Sequence, residues 1–173
     1  MTEISPGARA RDALEIQDVF VIRSECWVAR DFNPSSPISE FTFGQQSGIE
    51  GEGLLQERTP VDGSPAVHII RYFVTTEVRV LKPGVSVKDR DPVEDDFLAV
   101  IKMIFAADYQ CPRELLEDRE AIGAFSRNAH FHAWPYVREE VHAACARMRL
   151  PRITLPMIRP NQPAKLSASP AQK

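Results

Sequence analysis

Residues 128–150 read NAHFHAWPYVREEVHAACARMRL and run at once into PRITLPMI, residues 151–158. After Pro135 the apolar residues Val137, Val141, Ala144, Cys145 and Met148 return at three- and four-residue steps, while Arg138, Glu139, Glu140 and Arg147 take the other side. The spacing predicts an amphipathic helix with one face turned to a core. Pro135 suits a first helical position, where no amide donor is needed, or a kink in a longer helix that begins upstream. Pro151 pushes the residue before it out of helical geometry and ends the helix.

Upstream, PRELLEDREAIGAFSRNA (112–129) also reads as helix, with Pro112 near its start and Leu115, Leu116, Ile122 and Phe125 apolar; Gly123 and Ser126-Arg127-Asn128 predict one or more breaks. Before it, Phe97 to Tyr109 (FLAVIKMIFAADY) is apolar on both parities apart from Lys102 and Asp108, the pattern of a strand covered on both faces. A helix of the same chain can cover one face; the other is a candidate subunit interface. Ala66 to Leu81 (AVHIIRYFVTTEVRVL) is rich in β-branched and aromatic residues and is the clearest strand, entered from the reversal signal Pro60-Val61-Asp62-Gly63-Ser64-Pro65 and stopped by Pro83-Gly84. Residues 40–58, EFTFGQQSGIEGEGLLQER, form a weaker strand, since four glycines add chain entropy to be lost on folding. From Leu14 another strand alternates. Leu14, Ile16, Phe20, Ile22, Cys26 and Val28 share one face, and Val19, Val21 and Trp27 interrupt the polar one, which means a bulge or a second contact surface. Residues 1–13 read as a flexible arm, 14–158 as the folded domain, and the Pro-, Ala-, Ser- and Lys-rich 159–173 as a disordered tail.

The 173 residues, 43% hydrophobic and 26% charged, suffice for one domain with a sizeable core. A net charge of -3 gives no general attraction for nucleic acid or anionic membranes. No apolar run approaches a membrane span and the start lacks the apolar core of a secretion signal, so a cytoplasmic location is expected. Cys26, Cys111 and Cys145 are an odd number without close pairing, consistent with reduced thiols.

No catalytic constellation is visible. His130, His132, His142 and Cys145 lack the paired spacing of a zinc site, so neither metal nor cofactor is expected. Ser47 in GQQSG has Gln45 and Ile49 where a nucleophile elbow needs glycines, and the glycines around it lack the Lys-Ser/Thr ending of a phosphate loop. The carboxylates lie in charge-mixed runs such as Glu117-Asp118-Arg119-Glu120.

The element order is four long strands and then helices. LEIQDVFV (14–21) resembles the opening strand of the SecB export chaperones. AHFHAWPYVREEV (129–141), followed by more helix and LPRITLPMI (150–158), resembles their signature, most specifically in Trp134-Pro135-Tyr136-Val137-Arg138-Glu139. The resemblance runs from about Leu14 to Pro160. It implies an α+β fold, a four-stranded antiparallel sheet with helices packed on one face, assembled as a homotetramer built from two dimers. It also implies an ATP-independent holdase that keeps unfolded polypeptides in surface grooves. Trp27, Phe32, Phe41 and Phe43 are the candidate groove residues, because a binder of many sequences gains affinity from exposed apolar groups. The doubly apolar fourth strand and the small-residue helix face make Val100, Ile104, Val137, Val141, Ala144 and Met148 candidates for the oligomer interface.

The resemblance has departures. Family members bind the export motor ATPase through acidic residues, and the aligned positions here hold Arg23, Trp27 and Val100. The chain also resembles the SecB-like chaperones of toxin-antitoxin-chaperone systems, and a tail carrying Arg159, Lys165 and Lys173 suits that branch. The expected clients are therefore preproteins or an antitoxin. The alternative is a non-catalytic binding or regulatory module that recognises one specific protein partner.

Overall fold

A computed structural model describes residues 5–35, 42–60, 65–85 and 91–158. Helix α1 (Pro6–Ala13) leads into strands β1 (Glu15–Val28), β2 (Phe43–Arg58), β3 (Val67–Leu81) and β4 (Phe97–Cys111), and helix α2 (Arg119–Arg147) follows. Every neighbouring pair is antiparallel, in the order β1-β4-β3-β2. The doubly apolar strand β4 is central, and β1 and β2 are the edges. Phe41, the tail 159–173, and 61–64 of the reversal before β3 lie outside the described residues.

Register divides the sheet into two faces, because successive side chains alternate. Tyr72↔Ala107, Val74↔Phe105, Thr76↔Met103 and Val78↔Ile101 face α2 and form the main core with its buried residues. Arg71↔Asp108, Phe73↔Ala106, Thr75↔Ile104 and Arg79↔Val100 face the other way, and no α-helix among the described residues packs there.

The helix is longer than its sequence signals suggest. Asp118 caps it by accepting from the Ala121 amide at 3.0 Å, and it continues unbroken through Gly123, Ser126 and Pro135. Pro135 costs the Phe131 carbonyl its donor, but both residues are exposed, so water can serve that oxygen. At its other end Leu150 donates to the Cys145 carbonyl and Arg149 takes a positive φ of 54°, a left-handed stop one turn before the proline acts. Beyond it Ile153 and Leu155 bury themselves against the body, and Trp134 Nε1 donates to the Pro156 carbonyl at 2.9 Å.

Three expectations change. Val137, Val141 and Ala144, read as an oligomer interface, are wholly buried in this chain's own core, and Met148 packs half-buried against it. Helical periodicity shows that a face is covered without showing by what, and here the sheet and the 150–158 segment cover it. Phe43, read as a groove residue, lies opposite Val80 on the helix side and is core, and Phe32 is half-buried against the same core. Within the arm, residues 6–13 are helix, with Ala10 fully buried.

Polar ties fix α2 on the sheet. Tyr72 donates its hydroxyl to the Ile122 carbonyl at 2.7 Å, and Tyr109 meets His132 Nδ1 at 2.9 Å. Ser47 Oγ lies 2.9 Å from the Thr75 carbonyl, 2.8 Å from Thr76 Oγ1 and 2.8 Å from His130 Nε2. A carbonyl only accepts, so the single Ser47 proton goes to Thr75. All three contacts are then hydrogen bonds only if Thr76 and His130 donate to Ser47. That assigns the His130 proton to Nε2.

Burial lowers the pKa of both His130 and His132 below the ordinary imidazole value. The folded state thus favours the neutral rings. Their contribution is complete above the unfolded value of about 6.5 and is lost as the pH falls below it. Urea midpoints should decline as the pH falls below about 6.5, and His130→Gln with His132→Gln should flatten that decline. An unchanged slope would locate the acid sensitivity in other groups. A second expectation concerns β2, which bulges between Glu50 and Leu54 opposite Tyr72. A Cβ at Gly53 would stand 2.5 Å from Ile70 Cγ2 and 3.2 Å from the Tyr72 ring. Gly53→Ala should therefore cost about 1–3 kcal/mol by urea denaturation. Gly48→Ala, where nothing lies within 4 Å, is the control and should cost less.

Candidate functional site

α2 lies across β2, β3 and β4 and touches β1 least. The first strand is consequently bare on both faces. On the helix side, Ile16 is 47% and Val21 36% exposed; on the opposite side, Phe20 is 36% and Trp27 38% exposed; Ile22, in the register shift between Val21 and Arg23, is 47% exposed. Only Val19 of the strand is buried. β1 also has one sheet neighbour, so its outer row of backbone groups faces away from the sheet. An apolar edge strand with an open backbone row is a template for another extended chain, which adds main-chain hydrogen bonds and seats alternate side chains on either face.

The helix-free face is chemically different. Asp108, its side chain only 1% exposed, takes Arg71 bidentately, Nε to Oδ1 at 2.7 Å and Nη2 to Oδ2 at 2.8 Å, and Arg58 on Oδ2 as well. Burial pushes this carboxyl up, but the hydrogen bonds and charges of the two guanidiniums outweigh it and hold the pKa below the ordinary range. Arg71 also stacks on Phe20, 5.0 Å from the ring centroid. Toward the middle of the sheet Arg23 pairs with Glu25, and Glu77 pairs with Arg79 and Lys102. Of these, Arg23, Glu25, Glu77 and Lys102 border a depression of about 510 Å³. A second depression, of about 480 Å³, lies at the sheet's end against Trp27, Phe97, Asp31 and Lys82.

The groove candidates separate accordingly. Trp27 is exposed at the rim of that second depression, whereas Phe32 and Phe43 belong to the core side. Of the remaining interface candidates, Val100 is buried with Leu81 and Phe97 in a small cluster on the helix-free face, and Ile104 is half-buried on the same face. Arg23, Trp27 and Val100 all lie on that face by register. Sequence reasoning did not single out Ile16, Phe20 and Ile22 as a bare surface, and it left Val21 open between a bulge and a second contact surface. The available signal was the run Val19-Phe20-Val21-Ile22, apolar on both parities at a sheet edge.

Among the described residues no three His, Cys, Asp or Glu side chains converge as metal ligands. Ser47 and His130 meet, but the serine proton is committed to a carbonyl, so the pair is a structural tie. Burial raises the thiol pKa of Cys111, to about 11, and of Cys145, which leaves Cys26 as the exposed thiol. No helix among the described residues is long and apolar enough to cross a membrane.

No protein-family model matches this chain, and neither does any curated protein. A solved structure does. The Mycobacterium tuberculosis Rv1957 SecB-like chaperone, in complex with a ChAD peptide from the Rv1956 HigA1 antitoxin, aligns over 92% of this chain and 99% of its own with a TM-score of 0.61. Sequence identity is 20%, so the likeness is one of fold. With its β1-β4-β3-β2 antiparallel sheet and both α-helices on one side, the chain has the α+β fold of a SecB-like chaperone.

Proposed function

We propose that this protein is an ATP-independent chaperone that holds unfolded or partly folded polypeptide along β1, with an antitoxin-like extended segment as the favoured client. The observation that carries this reading is the bare apolar edge formed by Ile16, Phe20, Val21, Ile22 and Trp27. The solved SecB-like chaperone of the same fold holds an antitoxin peptide, which supports a peptide client here. Preprotein delivery to an export motor is the weaker variant, since Arg23, Trp27 and Val100 occupy the positions where acidic residues are expected. The reading includes a cytoplasmic location and a homotetramer built as a dimer of dimers, with Ile104 on the helix-free face available to a second copy.

A second reading has its own support. The open backbone row of β1 also suits antiparallel pairing with β1 of another copy, so the edge could serve assembly while clients use the flanking apolar side chains. The two uses are separable.

Aggregation of an unfolded reporter should be suppressed without nucleotide, and failure at equimolar protein would exclude the holdase. Phe20→Ser with Ile22→Ser should weaken client binding by about 1–3 kcal/mol per lost contact, with a nearly unchanged melting temperature. Phe43→Ser should instead cost about 3–5 kcal/mol of stability, because that ring is core. A fall in mass by light scattering for the β1 double variant, with client affinity retained, would assign the edge to assembly.

A further inference from the structure

The Ala29 amide donates to the Leu98 carbonyl at 2.8 Å, which extends the ladder in which Val28 faces Ala99 and Trp27 faces Val100. Bonded and non-bonded pairs alternate along an antiparallel ladder. The register is unbroken from Val28 back to Arg23, so counting by twos shows that Trp27, Glu25 and Arg23 spend their backbone groups on β4. Ser24, Cys26 and Val28 turn theirs outward. An antiparallel chain bonded to those three would stand in non-bonded pairs with Glu25 and Trp27, the pairs in which side chains come closest.

The row through Glu25 alternates in charge. Glu77 on β3 faces Lys102 on β4, and Lys102 faces Glu25 on β1. Lys102 Nζ stands 3.6 Å from Glu77 Oε2. Arg23 reaches Glu25 from within the strand, Nε to Oε1 at 2.7 Å, and Glu25 Oε2 has no partner among the described residues. The row thus runs negative, positive, negative and stops at the sheet edge on a carboxylate. An added strand continues it with a cation, and an acidic residue placed there meets like charge. The neighbouring row pairs Trp27, 38% exposed, with the buried Val100, and an apolar side chain extends it.

We propose that this half of β1 takes its client in one direction and one register: antiparallel, with a large apolar side chain beside Trp27 and, two residues later, a lysine or arginine beside Glu25. The proposal rests on the chaperone reading above and names the segment that β1 selects. Antiparallel pairing matches every other pair in this sheet and is the more stable kind. In an antiparallel client the reverse order satisfies one row at most, because a lysine at Glu25 then sets the apolar group against Arg23.

The test uses the full chain and two labelled, capped, threonine-rich peptides of one composition, with Leu-Thr-Lys or Lys-Thr-Leu at the centre. By fluorescence anisotropy the first should bind about threefold more tightly, the size of one cross-strand pair. A third peptide, with Leu-Thr-Glu, should bind wild type less tightly than Leu-Thr-Lys. Glu25→Lys should invert that preference and Glu25→Gln should remove it; the side chain is half exposed, so both variants are expected to fold. Equal affinity for the two orders, or a preference for lysine that survives Glu25→Lys, would overturn the proposal. Absence of order preference together with a lower mass for Glu25→Lys by light scattering would give the row to β1 of a second copy and overturn it too. If no peptide binds while an unfolded reporter is still kept from aggregating, the register claim fails and the chaperone reading stands. If the reporter aggregates as well, the chaperone reading fails with it.

Discussion

The seat of α2 on the sheet is the constraint from which the other surfaces follow. Tyr72 on β3, Tyr109 on β4 and Ser47 on β2 each hydrogen-bond to the helix, at Ile122, His132 and His130 respectively. No such tie joins it to β1 among these bonds. Buried polar groups have to be matched, so the three ties select one placement of a helix whose apolar stripe alone would tolerate several. That placement covers three strands well and the fourth poorly. The bare edge of β1 is therefore a consequence of how the helix is anchored, and moving the helix to cover it would break the bonds that Ser47, Tyr72 and Tyr109 make to it.

Much of the fold was legible in the sequence because its signals are local. The β-branched run of β3, the two-sided apolar run of β4 and the three-and-four spacing after Pro135 each depend on residues close together in the chain. What a covered face meets is not local. Val137, Val141 and Ala144 show the same spacing whether they meet a sheet or a second subunit, and Phe43 shows the same parity on either face of β2. Gly123 was read as a break, and Pro135 as a helix start or a kink in a longer helix, for a related reason: their cost to a helix is small beside the packing of Phe125, Trp134 and Val137, which keeps α2 continuous. Helix α1 was missed because its only full burial is one alanine.

Titratable groups that invite a chemical reading are spent on structure. Asp108 could have marked a catalytic carboxylate by its burial, yet two arginines take both its oxygens and keep it ionised. Burial favours the neutral form of His130, which faces a serine whose proton is already placed. Removing one member of such a set would leave a buried charge or donor unmatched, which costs more than the set contributes when complete.

The two edges of the sheet are not alike, and the difference bears on what β1 is for. Edge strands invite indiscriminate pairing, and proteins usually blunt them with charges, prolines, bulges or interrupted apolar surface. β2 is treated in that way: Gly44, Gln45, Gln46, Gly48 and Glu50 dilute it, a bulge interrupts it after Glu50, and its exposed large hydrophobics are Leu54 and Leu55. β1 is treated less severely. It has register shifts near Asp18 and Ile22, but no proline, lysine or glycine from Glu15 to Val28, and it leaves five large apolar side chains at or above 36% exposure. Large apolar side chains are thus exposed at both edges, two on β2 and five on β1, and the heavier exposure lies on the edge that α2 leaves uncovered, which is the edge that the proposed client would pair with.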